Sequence, residues 1–182
     1  MPASSGAETV GGGTAATVTD EEPSDPRITP PRILLVTSAG KQEAARGSYC
    51  VQFENPKTGE GGGTCADAAP TYPAWTSRVH PGDHADIFVL PGSITEGSFV
   101  VRPLGCLDRE VETVELETGW DASHWEVDLQ PGAYQLDFFA RFDDAEGETG
   151  DVSGSAGLVV AEAGRPRTVP LDRSLAVCQF PD

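Results

Sequence analysis

Three Pro-Gly pairs, Pro81-Gly82, Pro91-Gly92 and Pro131-Gly132, cut the middle of this chain into short segments. Proline presets φ at the second position of a turn and glycine supplies positive φ at the third, so each pair predicts a type II turn. Proline also removes a backbone donor and breaks a helix interior. The stretches between the pairs, His84–Leu90 and Gly97–Leu104, therefore read as strands. With 15 Pro and 21 Gly in 182 residues, no helical periodicity is long enough to compete.

The apolar alternation agrees. Arg32-Ile33-Leu34-Leu35-Val36-Thr37 is the expected first strand. In Ser48–Glu54, Tyr49, Val51 and Phe53 share one face and Cys50 points to the other. The clearest strand is Ala133–Phe142, in which Tyr134, Leu136, Phe138, Ala140 and Phe142 face one way. Its lead-in, Leu129-Gln130-Pro131-Gly132-Ala133-Tyr134, is similar to the tyrosine corner of immunoglobulin-like and fibronectin-like sandwiches, which assigns Tyr134 a structural role. Val111–Glu117 is strand-like but out of phase, which a bulge near Glu112-Thr113 would repair. Asp143–Asp151 reads as a turn into a last partner strand, Ser153–Val160, and Arg167–Phe180 as a further extended piece. Short strands with frequent turn signals predict an all-β fold, an antiparallel immunoglobulin-like β-sandwich with disulfides over residues 32–182. Residues 1–31 hold little that can be buried and read as a disordered, acidic, Gly-rich N-terminal tether.

The formal charge of −17 repels nucleic acid and anionic membrane surfaces, so neither is an expected partner. No run of about 20 apolar residues is present to span a membrane. Four cysteines, Cys50, Cys65, Cys106 and Cys178, suggest disulfides and an oxidising, extracytoplasmic location, secreted or anchored at the cell envelope. They allow three pairings between which sequence does not choose; 50–65 with 106–178 is favoured. A 50–65 bond would lie on the outer face and close a local loop worth roughly 3 kcal/mol. The chain opens Met1-Pro-Ala-Ser-Ser-Gly without a signal peptide, so an export signal is expected to have been removed. The competing reading is a cytosolic start with four free thiols.

Gly47-Ser48-Tyr49-Cys50, Cys65-Ala66-Asp67, Val79-His80-Pro81-Gly82-Asp83 and the Pro131-Gly132-x-Tyr134 strand together resemble small secreted lipoproteins of Gram-positive bacteria. In that group a GSYCW…CAD pair precedes a β-sandwich. The resemblance covers residues 32–160 and departs from the pattern at Val51, where Trp is expected, and in a longer hairpin. The family is functionally uncharacterised. The resemblance implies an envelope-tethered or secreted β domain with a lipid anchor in the precursor, and it transfers no catalytic residue.

Candidate chemistry is sparse. Asp143, Asp144, Glu146 and Asp151 sit in the densest acidic loop and could hold Ca²⁺, although the loop lacks EF-hand spacing and reads rather as a solvated hairpin tip. The acidic stretch 108–128 could steer a basic partner or be an ordinary solvent face. His80, His84 and His124 have no recognisable zinc spacing. Tyr72 and Trp75, on a Pro-rich loop, are the best ligand-site expectation, against a loop that merely caps the sandwich. Trp120 and Trp125 are either core or platform. Nucleophile elbows, P-loops and dinucleotide fingerprints are missing from the sequence. The expected function is thus a non-enzymatic binding module at the cell envelope, with an unknown protein or glycan as partner and no cofactor. The alternatives are an extracellular hydrolase inhibitor or adhesion domain, and a small metal- or carbohydrate-dependent enzyme. The last would require Asp83, His84 and His124 to meet in a cleft.

Overall fold

Alternating apolar residues force a two-layer solution, because each strand has one face to bury. A computed structural model describes residues 30–54, 57–68, 76–104, 106 and 108–161. Within them run β1 (Arg32–Thr37), β2 (Gly40–Glu43), β3 (Ala45–Glu54), β4 (Gly61–Ala66), β5 (Thr76–Val79) and β6 (His84–Leu90). They are followed by β7 (Ser93–Pro103), β8 (Glu112–Glu115), β9 (Ser123–Glu126), β10 (Gly132–Asp143) and β11 (Glu148–Val160). The all-β expectation holds. The tether expected for residues 1–31, all but its last two residues, and the extended piece expected at 167–180 lie outside the described residues.

One sheet has the order β2-β1-β6-β9; the other has β4-β3-β11-β10-β7-β8, with β5 also beside β11. The pairs are antiparallel except β5 with β11, which run parallel from Gly157↔Thr76 to Val160↔Val79. That pairing was not legible in Thr76-Ser77-Arg78-Val79, which is too short and polar to show alternation. The inner faces of both sheets meet in one core, with Ile33, Leu35, Ile87 and Val89 from the smaller sheet and Val51, Val101, Leu136 and Phe142 from the larger. Each fully buried aliphatic or aromatic side chain contributes roughly 1.5–3 kcal/mol. Phe99 of β7 meets Trp125 of β9 edge-on, ring centroids 5.0 Å apart, which settles Trp125 as core.

β10 carries Tyr134, Leu136, Phe138, Ala140 and Phe142 inward, as the alternation predicts. The Tyr134 hydroxyl donates to the Gln130 carbonyl at 2.8 Å, the hydrogen bond expected of a tyrosine corner. The arrangement is compatible with an immunoglobulin-like sandwich. Gly132, however, is not at positive φ. It opens β10, and a Cβ there would sit 3.3 Å from the Tyr134 ring. The glycine makes room for the phenol rather than a type II turn. Pro81-Gly82 does turn as predicted, with Gly82 at φ 84° and the Asp83 N–H donating to the His80 carbonyl at 3.0 Å. At Pro91-Gly92 the Leu90–Pro91 peptide is cis and Gly92 has φ 103°. Gly92 lies so close to the Asp143 carbonyl that a side chain there would collide with backbone.

The bulge expected near Glu112-Thr113 is absent: β8 pairs β7 in continuous register, Ser98↔Glu115 to Val101↔Glu112. The phase conflict is resolved by leaving Val111 47% exposed while Val114 and Leu116 pack inward. The register shifts fall elsewhere. β3 shifts against β11 between Val152↔Tyr49 and Gly154↔Arg46, at Gly47-Ser48, and β7 shifts against β10 at Thr95.

Replacing Tyr134 by Phe deprives the Gln130 carbonyl of its donor, and is expected to cost about 1–2 kcal/mol in urea unfolding at pH 7. Burial raises the Tyr134 pKa above its ordinary value. The unfolded chain then loses its proton first as pH rises, so this contribution is intact below about pH 10 and fades above it. The Tyr134→Phe protein should show a flatter alkaline stability profile than the parent.

Candidate functional site at the acidic end of the sandwich

The strongest sequence motif turns out to be structural. Gly47-Ser48 form the bulge against β11, where the Ser153 hydroxyl donates to the Ser48 carbonyl at 3.1 Å. The bulge returns Tyr49 and Val51 to the core and turns Cys50 outward. Cys50 and Cys65 are direct cross-strand partners and form a disulfide, Cα atoms 4.1 Å apart, across 15 residues of sequence. The Ser48 hydroxyl also donates to the Asp67 carboxylate at 2.6 Å. The two halves of the motif therefore join β4 to β3 twice, on the outer face. This disulfide does not cross between sheets. Cys106 is buried and disulfide-bonded; its favoured partner, Cys178, lies outside the described residues.

Two concave surfaces flank the tip of the β10–β11 hairpin. On one side, a groove of about 550 Å³ is lined by Phe53 and by Gly61, Gly62 and Gly63 of β4. The Phe53 ring occupies the space above Gly62, where a Cβ would approach it to 2.6 Å. On the other side, a larger groove of about 1000 Å³ has Phe88, Leu90 and Pro91 on its floor and the hairpin carboxylates on its rim.

The hairpin tip is built by Asp144. Its Oδ1 accepts from the backbone N–H groups of Glu146 and Glu148, both at 2.8 Å, and Gly147 closes the turn at φ 87°. Asp144 is thus a turn-forming acceptor. Asp143 and Glu146 are exposed beside it, whereas Asp151 stands further along β11, opposite Cys50 and Arg141. The four residues considered for Ca²⁺ do not converge, and among the described residues no three His, Cys, Asp or Glu side chains are placed to hold a metal ion. The tip is electrostatically loaded nonetheless. Burial, then the neighbouring Asp144 and Glu146, raise the Glu148 pKa.

The remaining candidates are dispersed. Asp83 accepts from the Ser38 hydroxyl at 2.8 Å and the His80 backbone N–H at 3.0 Å, within the turn before β6. His84 lies opposite Glu126, and His124 opposite Asp86, whose carboxylate is 2.7 Å from its Nδ1. These residues share the outer face of the smaller sheet and line neither groove. In the acidic stretch 108–128, Glu112 has its pKa raised by burial and then by Asp128. Trp120 is 69% exposed, next to Asp121 on the rim of the larger groove. Tyr72 and Trp75 lie outside the described residues. The groove floor was not legible in sequence, because Phe88 and Leu90 read only as strand residues. No family model, no curated protein and no solved structure matches the chain.

Replacing Cys50 and Cys65 together by Ser is expected to cost about 3 kcal/mol, read by urea unfolding against the oxidised parent. Glu148→Gln should raise the melting temperature at pH 7. Because the folded pKa is raised, the charged carboxylate costs stability from the ordinary Glu pKa upward and fully above the raised value, so the gain should vanish as pH falls below about 4.

Proposed function

We propose that this protein is an exported, envelope-associated, non-enzymatic binding module, allied to the small secreted lipoproteins that its Gly47–Cys50 and Cys65–Asp67 motif resembles. The observation that carries the reading is the Cys50–Cys65 disulfide, held on the outer face of an edge hairpin with Cys65 exposed. An accessible disulfide persists in an oxidising compartment and is reduced in a cytosolic one, which suggests an extracytoplasmic setting. No helix among the described residues is long and apolar enough to cross a membrane; the envelope attachment of this reading is the lipid anchor of the precursor that the resemblance implies.

Binding is favoured over catalysis by where the reactive side chains stand. The enzyme alternative needed Asp83, His84 and His124 in one cleft. Asp83 is engaged in its own turn and His124 is paired with Asp86 on an open sheet face. The concave surfaces are instead floored by apolar side chains and glycine, which suits recognition of a partner's surface.

The test is made in cells that naturally produce the chain. Thiols are trapped at lysis and peptides mapped without reduction, and intact cells are treated with protease. The expected result is an oxidised 50–65 pair and a protein lost to protease while cytosolic markers survive. Free thiols on Cys50 and Cys65 in a protease-protected protein would overturn the assignment.

A further inference from the structure

We propose that the larger groove docks an extended, basic peptide segment of a partner protein, with Lys or Arg side chains on the rim formed by Asp121, Asp143, Glu146 and Glu148 and apolar side chains on Phe88 and Leu90. The inference rests on the reading of the protein as a binding module and supplies the chemistry of its ligand.

The floor comes first. Phe88 and Leu90 alternate with the core residues Ile87 and Val89 along β6, so they face away from the core and stay partly exposed. Leu34, opposite Phe88 on the same face, is buried and does not line the groove. A bare ion or a small polyamine would leave such a floor unused; apolar side chains on an extended chain would cover it, alternating with the polar ones that point the other way. A groove of about 1000 Å³ has room for several side chains.

The rim selects the sign. Five carboxylates line the groove, with Arg32 as the one cation among its lining residues, and Arg32 is itself 3.7 Å from Glu43. Asp144 is engaged by its own turn. Asp143, Glu146 and Glu148 have no ion pair among the described residues. On the outer face of the larger sheet two carboxylates do have partners: Glu96 meets Arg141 at 2.6 Å and Asp137 meets Arg102 at 3.2 Å. Unpaired carboxylates thus stand beside the apolar side chains of this groove, and burial, then the neighbouring Asp144 and Glu146, raise the pKa of Glu148. Trp120, exposed beside Asp121, adds an aromatic face that attracts Lys and Arg side chains. Anionic lipid and nucleic acid are repelled by this rim.

The test is fluorescence anisotropy with the full chain and labelled peptides of about eight residues, enough for an extended segment to lie along the groove. One alternates Arg with Leu, one Arg with Gly and one Glu with Leu. The Arg/Leu peptide should bind, weakening about tenfold between roughly 50 mM and 500 mM salt as the Debye length shrinks. Asp143→Lys with Glu146→Lys should weaken it about tenfold, and Phe88→Ser should weaken it at both salt concentrations. Asp108→Lys with Glu115→Lys, away from the groove, should leave it within about twofold. Equal binding of the Arg/Gly peptide, effective competition by spermine, or equal loss on the control reversal would overturn the proposal in favour of unspecific charge. Failure of every peptide would remove this ligand class, yet leave the export reading to its own test of thiol state and protease access.

Discussion

β11 is the strand from which the others take their places. β10 fills one edge along its full length, from Gly132↔Val160 to Asp143↔Thr149. Two strands share the opposite edge, β3 antiparallel beside its first half and β5 parallel beside its second. β3 leaves this edge after Ser155↔Ala45 and β5 takes it up from Gly157↔Thr76, while within the β3 pairing Gly47-Ser48 bulge against Ser153. The bulge fixes which residues of β3 face the core. One local irregularity thus decides both that Tyr49 and Val51 are buried and that Cys50 can reach Cys65. The same long hairpin carries the tyrosine corner at one end and the acidic tip at the other, so the stable end and the charged end of the sandwich belong to one element.

What could be read in the chain follows from how local each cause is. The alternation from Tyr134 to Phe142 is set by burial on one face, and period-two patterns survive any topology. The outer-face position of Cys50 was also legible, by parity, and with it the surface setting of the favoured Cys50–Cys65 bond. Turn chemistry was less transferable. Pro81-Gly82 makes its turn from local preference, while Gly132 and Gly92 serve close approaches, to the Tyr134 ring and the Asp143 carbonyl, that depend on distant partners. The out-of-phase Val111 was resolved by exposure rather than by a bulge, at a cost too small to forbid it. β5 and β9 are short strands whose identity comes from what lies beside them. The groove joins β6, the β6–β7 turn, the loop before β9 and the β10–β11 tip, and no spacing along the sequence announces that meeting.

Charge and packing divide the surface between them. The outer face of the larger sheet is knitted by a half-buried pair, Arg102 with Asp137, and an exposed one, Arg141 with Glu96, each of modest worth and each balancing its partner's charge. At the hairpin tip there is no such balance, and the fold tolerates it because Asp144 spends its carboxylate on backbone N–H groups and holds the turn. A strand pair this long can carry a repulsive tip, since its stability is supplied by the buried residues behind it.

The smaller and larger sheets are also tied at their margin by one polar contact. The Gln42 side-chain carbonyl on β2 accepts from both the backbone N–H and the hydroxyl of Ser77 on β5, each at 3.0 Å, and both residues are buried. An amide held by a side chain of the opposite layer is released when the layers separate, even if every ladder within each sheet stays closed. Hydrogen exchange at Ser77 therefore clocks the opening of the sandwich itself, while exchange at the ladder amides of β10 and β11 reports the unravelling of a sheet. The molecule contains its own gauge for telling those two motions apart.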